Sequence, residues 1–325
     1  MTSDASGTAV APWPLAVPPP LLRAAPALAA LAYPALIWTG PAIWPPLLAL
    51  AVVAPAIAVW AYVRSNGEAP ITRGVALAAV GMPPAFTFLG SMLDFQEAWP
   101  ISGLTVWIPL WLTLAIAAWR SPPIAASPVT AAHRTPRALA VVHGLSALPI
   151  IAFGLAHIIN QASGIAGGAT HLAIMTALRT VYRHPVGELL LFGCIAAQMI
   201  TGVLLIVHSR RPLDALDRLQ RAAGAYLAVF FVSHITATLR ARYLYDRDTN
   251  WTWLSKFKLT DAWNARLGPY YALAIFALAI HLAGAVRHVA IGRGARPERM
   301  TWVFAVAAAL ATVAALLTIT GLVRA

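Results

Sequence analysis

Four histidines sit inside long apolar runs of this chain: His143, His157, His234 and His281. An ionisable side chain at membrane depth is costly and by default marks a functional site. Along a helix, spacing converts to depth at about 1.5 Å per residue. On that measure His157 lies about 6 Å from the outer end of its run and His234 about 10 Å from the same side, so the two can share a level on different helices. His281 lies near 20 Å from that side, and Gln198, about 18 Å deep in another run, matches it. Two imidazoles at one level on separate helices are what a b-type haem needs, one axial nitrogen for each face of the macrocycle. A flat ring also needs small neighbours. Gly154 lies one turn before His157, Gly202 one turn after Gln198 and Gly284 one turn after His281, while Gly224 begins the run that carries His234. The plainer reading is that a membrane histidine serves as an interhelical hydrogen-bond donor and that small residues mediate ordinary packing. His143 lies near the inner end of its run, within reach of His281 or His288. His133, His171, His184, His208 and His288 fall in loops or at run ends, where a histidine is cheap.

The elements that must position these side chains follow from composition. The 325 residues are 60% hydrophobic and only 10% charged, with a mean hydropathy of +0.72. Soluble domains average about 45–50% apolar and 25% charged residues. A soluble globular protein, a nucleic-acid-binding domain and a disordered chain are thereby excluded. The net charge of +12 is carried by short polar stretches between apolar runs, which is the pattern of a polytopic membrane protein. Its single cysteine, Cys194, rules out an internal disulfide and a cysteine-held cluster. Nine runs are near the roughly 20 residues needed to cross a bilayer: 21–40, 43–63, 72–93, 101–119, 138–161, 187–208, 220–240, 268–291 and 301–323. The fold class is therefore all-α, with about nine transmembrane helices. Basic residues favour the side that holds Arg64, Arg73, Arg134, Arg137, Arg210, Arg211, Arg218 and Arg293, which sets the N-terminus inside and the C-terminus outside. Residues 1–20, polar and Pro-rich with Asp4 and no basic cluster, read as a disordered tail rather than a cleaved signal. Residues 21–120 form a four-span region without histidine, 121–136 a Pro-rich linker and 137–325 a five-span domain. The loop 241–267, with Trp251, Trp253 and Trp263, reads as an interfacial helix.

The five-span half resembles the transmembrane cytochrome b subunit of succinate dehydrogenases and fumarate reductases, in its five-helix di-haem form. The stretch from His143-Gly-Leu-Ser to Ala156-His157-Ile-Ile-Asn160 is similar to that family's first helix. Glu188 through Gln198-Met-Ile-Thr-Gly202 is similar to its second, Gln220-Arg221-Ala-Ala-Gly224 through Ser233-His234 to its basic-glycine-histidine segment, and Tyr271 through His281-Leu-Ala-Gly284 to its fourth. The likeness spans residues 134–292, in the family's order. It implies that His157 and His234 hold an outer haem b and that His281 gives one ligand to an inner haem. The family's other inner ligand falls on Gln198, and glutamine is not a usual haem ligand. The inner site is then empty, or held by His281 alone, or completed by His143. One haem on the outer pair is the expectation, with the second left open. Gln220 and Arg221 match a position near the family's quinone site, although an interfacial arginine meeting lipid phosphate is an equal reading. Arg240 and Arg242 lie near the outer level, where charge complementarity suits haem carboxylates.

Function follows as expectation. The first reading is a haem b protein of a bacterial inner membrane that exchanges electrons with quinone or a redox partner. With no flavin or iron–sulfur motif, it would need a partner flavoprotein or iron–sulfur subunit and would have no catalytic motif of its own. A haem-bearing membrane sensor or anchor is the second reading, and a haem-free scaffold or lipid-handling protein the third, since fold does not fix function. A transporter would want paired intramembrane carboxylates, whereas every Asp and Glu here lies at a run end or in a loop. No hydrolase motif stands out.

Overall fold

The computed structural model describes residues 20–37, 44–94, 102–123, 137–208, 213–254 and 262–324, and all its elements are helical. In chain order they are α1 (Pro20–Ala32), α2 (Trp44–Val63), α3 (Pro70–Val80), α4 (Met82–Leu89), α5 (Gly103–Arg120), α6 (Arg137–Ala162), α7 (Gly168–Tyr182), α8 (Pro185–His208), α9 (Ala215–Tyr243), the short α10 (Trp251–Leu254) and α11 (Ala262–Ala265), α12 (Leu267–Gly292) and α13 (Trp302–Arg324). Residues 1–19 of the expected tail and 124–136 of the expected linker, with His133, lie outside the described residues.

Six helices among the described residues are long and apolar enough to cross a membrane: α5, α6, α8, α9, α12 and α13. This is an integral membrane protein. The run 72–93, expected as one span, is a bent pair in which α3 and α4 meet at 66°. The bend sits at Gly81-Met82-Pro83-Pro84, and the two prolines lack the N–H groups needed to continue the ladder of α3. A Cβ at Gly81 would stand 2.8 Å from Val229 Cγ2, so the bend is also where α9 presses closest. The first two expected runs hold shorter apolar helices, over Pro20–Leu36 and Ala49–Val63. α7 is a further helix in what the sequence presents as a loop; Gly167, at φ 105°, makes the turn into it.

One apolar core joins α1–α5 to α9 and α12. It contains Ala27, Ala54, Ala79, Phe86, Trp107 and Ala118 on one side and Ala222, Tyr226 and Ala274 on the other. Within it Tyr33, Phe86, Trp107 and Trp111 form a chain of ring contacts at 5.3–5.6 Å between centres, and Trp107 Nε1 donates to the Ala30 carbonyl at 2.8 Å. The second core is small: Ile150, Leu191 and Ile195 between α6 and α8. Outward faces of α6, α8 and α13 expose Leu148, Ile159, Leu189, Val207, Leu310 and Leu316, the surface a helix offers to lipid.

α9 begins at a reciprocal cap: Asp214 Oδ1 accepts from Asp217 N at 2.8 Å, and Asp217 Oδ2 accepts from Asp214 N at 3.4 Å. Arg287 of α12 reaches both carboxylates, meeting Asp217 Oδ1 at 3.2 Å and pairing with Asp214. At the opposite end of the two helices Tyr226 Oη donates to the Tyr270 carbonyl at 2.8 Å, and Tyr270 and Ser233 hydroxyls meet at 3.3 Å. α9 and α12 are thus pinned together along their length.

Candidate functional site

α6 packs closely on α8 and α13, and α12 packs on α9 and α13. Among the described residues α6 makes no comparable backbone approach to α9 or α12. Across that looser seam lie two pairs of histidine rings. His157 of α6 faces His234 of α9 with ring centres 6.1 Å apart and planes at 57°. His143 of α6 faces His281 of α12 at 6.2 Å and 71°. All four rings are half-buried. His143 and His157 are 14 residues apart, which is close to four turns, so α6 presents both rings on one face about 21 Å apart.

Two imidazoles that bind one metal ion from opposite sides, each through a nitrogen at about 2.0–2.1 Å, have ring centres roughly 6 Å apart. Both pairs match that separation. Edge-to-face contact without a metal gives similar distances, so the surroundings of each ring must decide between the two. At the outer level each histidine is stacked by a phenylalanine four residues earlier on its own helix. Phe153 lies 5.5 Å from His157 at 17°, and Phe230 lies 5.2 Å from His234 at 10°. Tyr271 closes on His234 edge-on, at 5.8 Å and 90°. Both rings are thereby held on one side by apolar surface, with the facing side turned across the seam. The repeated Phe-x-x-x-His is an i, i+4 pair that the sequence carries openly; reading depth alone does not single it out.

At the inner level the rings are held by hydrogen bonds. His281 Nδ1 lies 3.1 Å from the Gln220 carbonyl, which can only accept. A Cβ at Gly224 would stand 3.0 Å from that imidazole, so the bare glycine admits the ring. His143 Nδ1 lies 2.8 Å from Thr201 Oγ1, whose own proton goes to the Ala197 carbonyl at 2.6 Å. Depth along the sequence matches Gln198 to His281. The structure instead sets His143 against His281, and Gln198 Oε1 is buried without a hydrogen-bond partner among the described residues. Arg221 is half-buried one residue beyond Gln220, whose side chain fills the space beside Gly284.

The two arginines expected near haem carboxylates already have protein partners. Arg242 pairs with Glu188 at 2.8 Å, while Arg240 bonds the Ser91 carbonyl and meets Tyr245 Oη at 2.8 Å. His171, expected at an interface, is fully buried on α7. Its Nε2 lies 3.3 Å from Asn160 Nδ2, and Trp251 covers it at 4.7 Å. Trp251 itself sits on Gly164 and Gly168, where any Cβ would collide with the indole. This cap sits beside Asn160, about one turn beyond His157 on α6. Among the described residues no three His, Cys, Asp or Glu side chains converge as a metal-ion site. Two histidines alone do not enclose a bare ion, whereas haem brings four ring nitrogens of its own and asks the protein for two. No family model matches the chain, and neither a curated protein nor a solved structure matches it either.

Proposed function

We propose that this chain is a b-type haem protein of a bacterial inner membrane, with its N-terminus cytoplasmic, and that His157 and His234 are the axial ligands of one haem. The observation that carries this reading is the 6.1 Å separation of two imidazole rings, one on α6 and one on α9. Haem supplies one-electron redox chemistry when bound, and the protein supplies ligands, orientation and electrostatics. Phe153 and Phe230 hold the two imidazoles in place. Electrons would be exchanged with quinone or with a partner flavoprotein or iron–sulfur subunit. The likeness of residues 134–292 to succinate dehydrogenase and fumarate reductase cytochromes b supports the same assignment.

The test is a dithionite-reduced minus oxidised spectrum of the full chain purified in detergent after expression with haem supplied. A b-type spectrum is expected, and His157→Ala or His234→Ala should remove the component they bind while His184→Ala leaves it whole. A colourless protein, or a spectrum indifferent to both substitutions, would sink the reading.

A further inference from the structure

The inner ring pair carries more than the resemblance implies. There the family pattern puts a second ligand on α8, where this chain has Gln198. We propose that the inner site is a second haem site whose ligand has moved from α8 to α6, so that His143 and His281 hold it. The proposal rests on the reading of the seam as haem-binding and deepens it.

Two independent features point this way. First, His143 and His281 repeat the outer geometry, 6.2 Å between ring centres against 6.1 Å. Second, each inner imidazole has its Nδ1 engaged and its tautomer fixed. A carbonyl cannot donate, so His281 must carry its proton on Nδ1 to meet Gln220. The Thr201 hydroxyl spends its proton on Ala197, so it must accept from His143 Nδ1. In both rings the lone pair is then on Nε2, the atom left to bind a metal. Metal-binding histidines are held this way, with the other ring nitrogen donating to a carbonyl or similar acceptor.

The consequence is architectural. One face of α6 carries a ligand for each site, about 21 Å apart along the helix. α8 keeps a role at the inner site through Thr201, which positions His143 rather than binding metal. Gln198 is left with no part in ligation. Two sites at two depths make a path across the bilayer, which one site does not.

The experiment counts haem per chain in the purified full-length protein and follows it by redox titration. Wild type should bind two haems. His143→Ala and His281→Ala should each reduce the count to one, with the component lost in His157→Ala retained. Gln198→Leu should keep two. Thr201→Val preserves side-chain shape and removes the acceptor of His143 Nδ1. It should move one midpoint potential upward and leave the other in place, because a ligand that no longer donates this hydrogen bond is less basic. This variant remains informative if an alanine variant fails to fold. One haem in wild type, lost in His157→Ala and unaffected by His143→Ala, would overturn the inner site and leave the outer reading standing. Two haems with one lost in Gln198→Leu and none in His143→Ala would return the ligand to α8 and equally overturn the proposal. No haem at all would remove both readings together.

Discussion

The two halves of this protein solve opposite packing problems. Residues 20–123 hold no histidine, and their helices close on alanine and stacked aromatic rings into a core shared with α9 and α12. On the other side, the buried cluster between α6 and α8 is small among the described residues, Ile150, Leu191 and Ile195 with Phe231 and Ile235 of α9 packed against it, and the backbone of α6 makes few close approaches to α9 or α12. Protein interiors ordinarily fill to crystal-like density. A half that is filled by its own side chains has no room for a cofactor. A half whose seam is lined by paired imidazoles is where the proposed haem would sit. Residues 20–123, silent in chemistry, thus have a physical role. They fix α9 and α12, and so hold one wall of the seam rigid while α6 forms the other.

That contrast predicts unequal responses to truncation. Trp107 is fully buried and bonded to Ala30, so Trp107→Ala should cost about 3–5 kcal/mol. Thermal unfolding in detergent should show the loss, while haem per folded chain stays at its wild-type value. Leu191→Ala, in the sparse cluster, should cost about 2 kcal/mol, the low end for such a change. Equal costs at the two positions would mean that the α6–α8 side is as well packed as the core of α1–α5 and would break the comparison.

A second expected effect sharpens it. If haem completes the second half, its removal should loosen that half alone. A ligand present at about 1,000 times its Kd stabilises the bound state by about 4 kcal/mol. Hydrogen exchange on haem-loaded and haem-free protein should therefore show faster exchange over 143–157 and 195–202 without haem. Exchange over 24–36 and 107–118 should be the same in both. Uniform acceleration along the chain would show instead that the halves unfold as one unit.

Much of this is legible in the sequence. Depth along each apolar run is enough to put His157 and His234 on one level, because helical rise is fixed. At the inner level the same arithmetic matches His281 to Gln198 and leaves His143 within reach of His281 or His288, since depth says nothing about azimuth; the structure sets His143 against His281. His171 reads as interfacial because α7, with its Arg179 and Arg183, is too short and too polar to register as a span. Its burial depends on Trp251 folding back from a distant loop onto Gly164 and Gly168, a contact no local pattern announces. The bend at Gly81 is written in Met82-Pro83-Pro84, but a run of the right length masks a break inside it.

The smallest expected effect distinguishes the two ends of the five-span half. At one end Arg287, itself buried, joins Asp214 and Asp217; at the other Arg179 meets the half-exposed Asp248 at 2.7 Å. Burial pushes the Asp248 carboxyl up, but the hydrogen bond and charge of Arg179 outweigh it and hold it below its usual value. Asp214 is also held down: burial again opposes, and the backbone N–H of Asp217 with the Arg287 guanidinium prevails. A carboxylate depressed in the folded state adds stability that is present above its unfolded pKa of about 3.9 and is lost as pH falls through the lower folded value. Both ends should therefore loosen only below about pH 4. They should not loosen equally. Asp248→Asn removes an exposed pair and should cost about 0.2–1 kcal/mol. Loss of Asp214 also removes the cap of α9 and one partner of a buried arginine. Melting of Asp248→Asn and Asp214→Asn at pH 7 and at about pH 2–3 should show the larger drop for Asp214→Asn, with the gap narrowing at the lower pH as the wild-type carboxylates lose their advantage below their unfolded pKa. A gap that widens with acid would mean that neither carboxylate is the group responding, and that the grip of α9 on α12 depends on the tyrosine bonds at their other end.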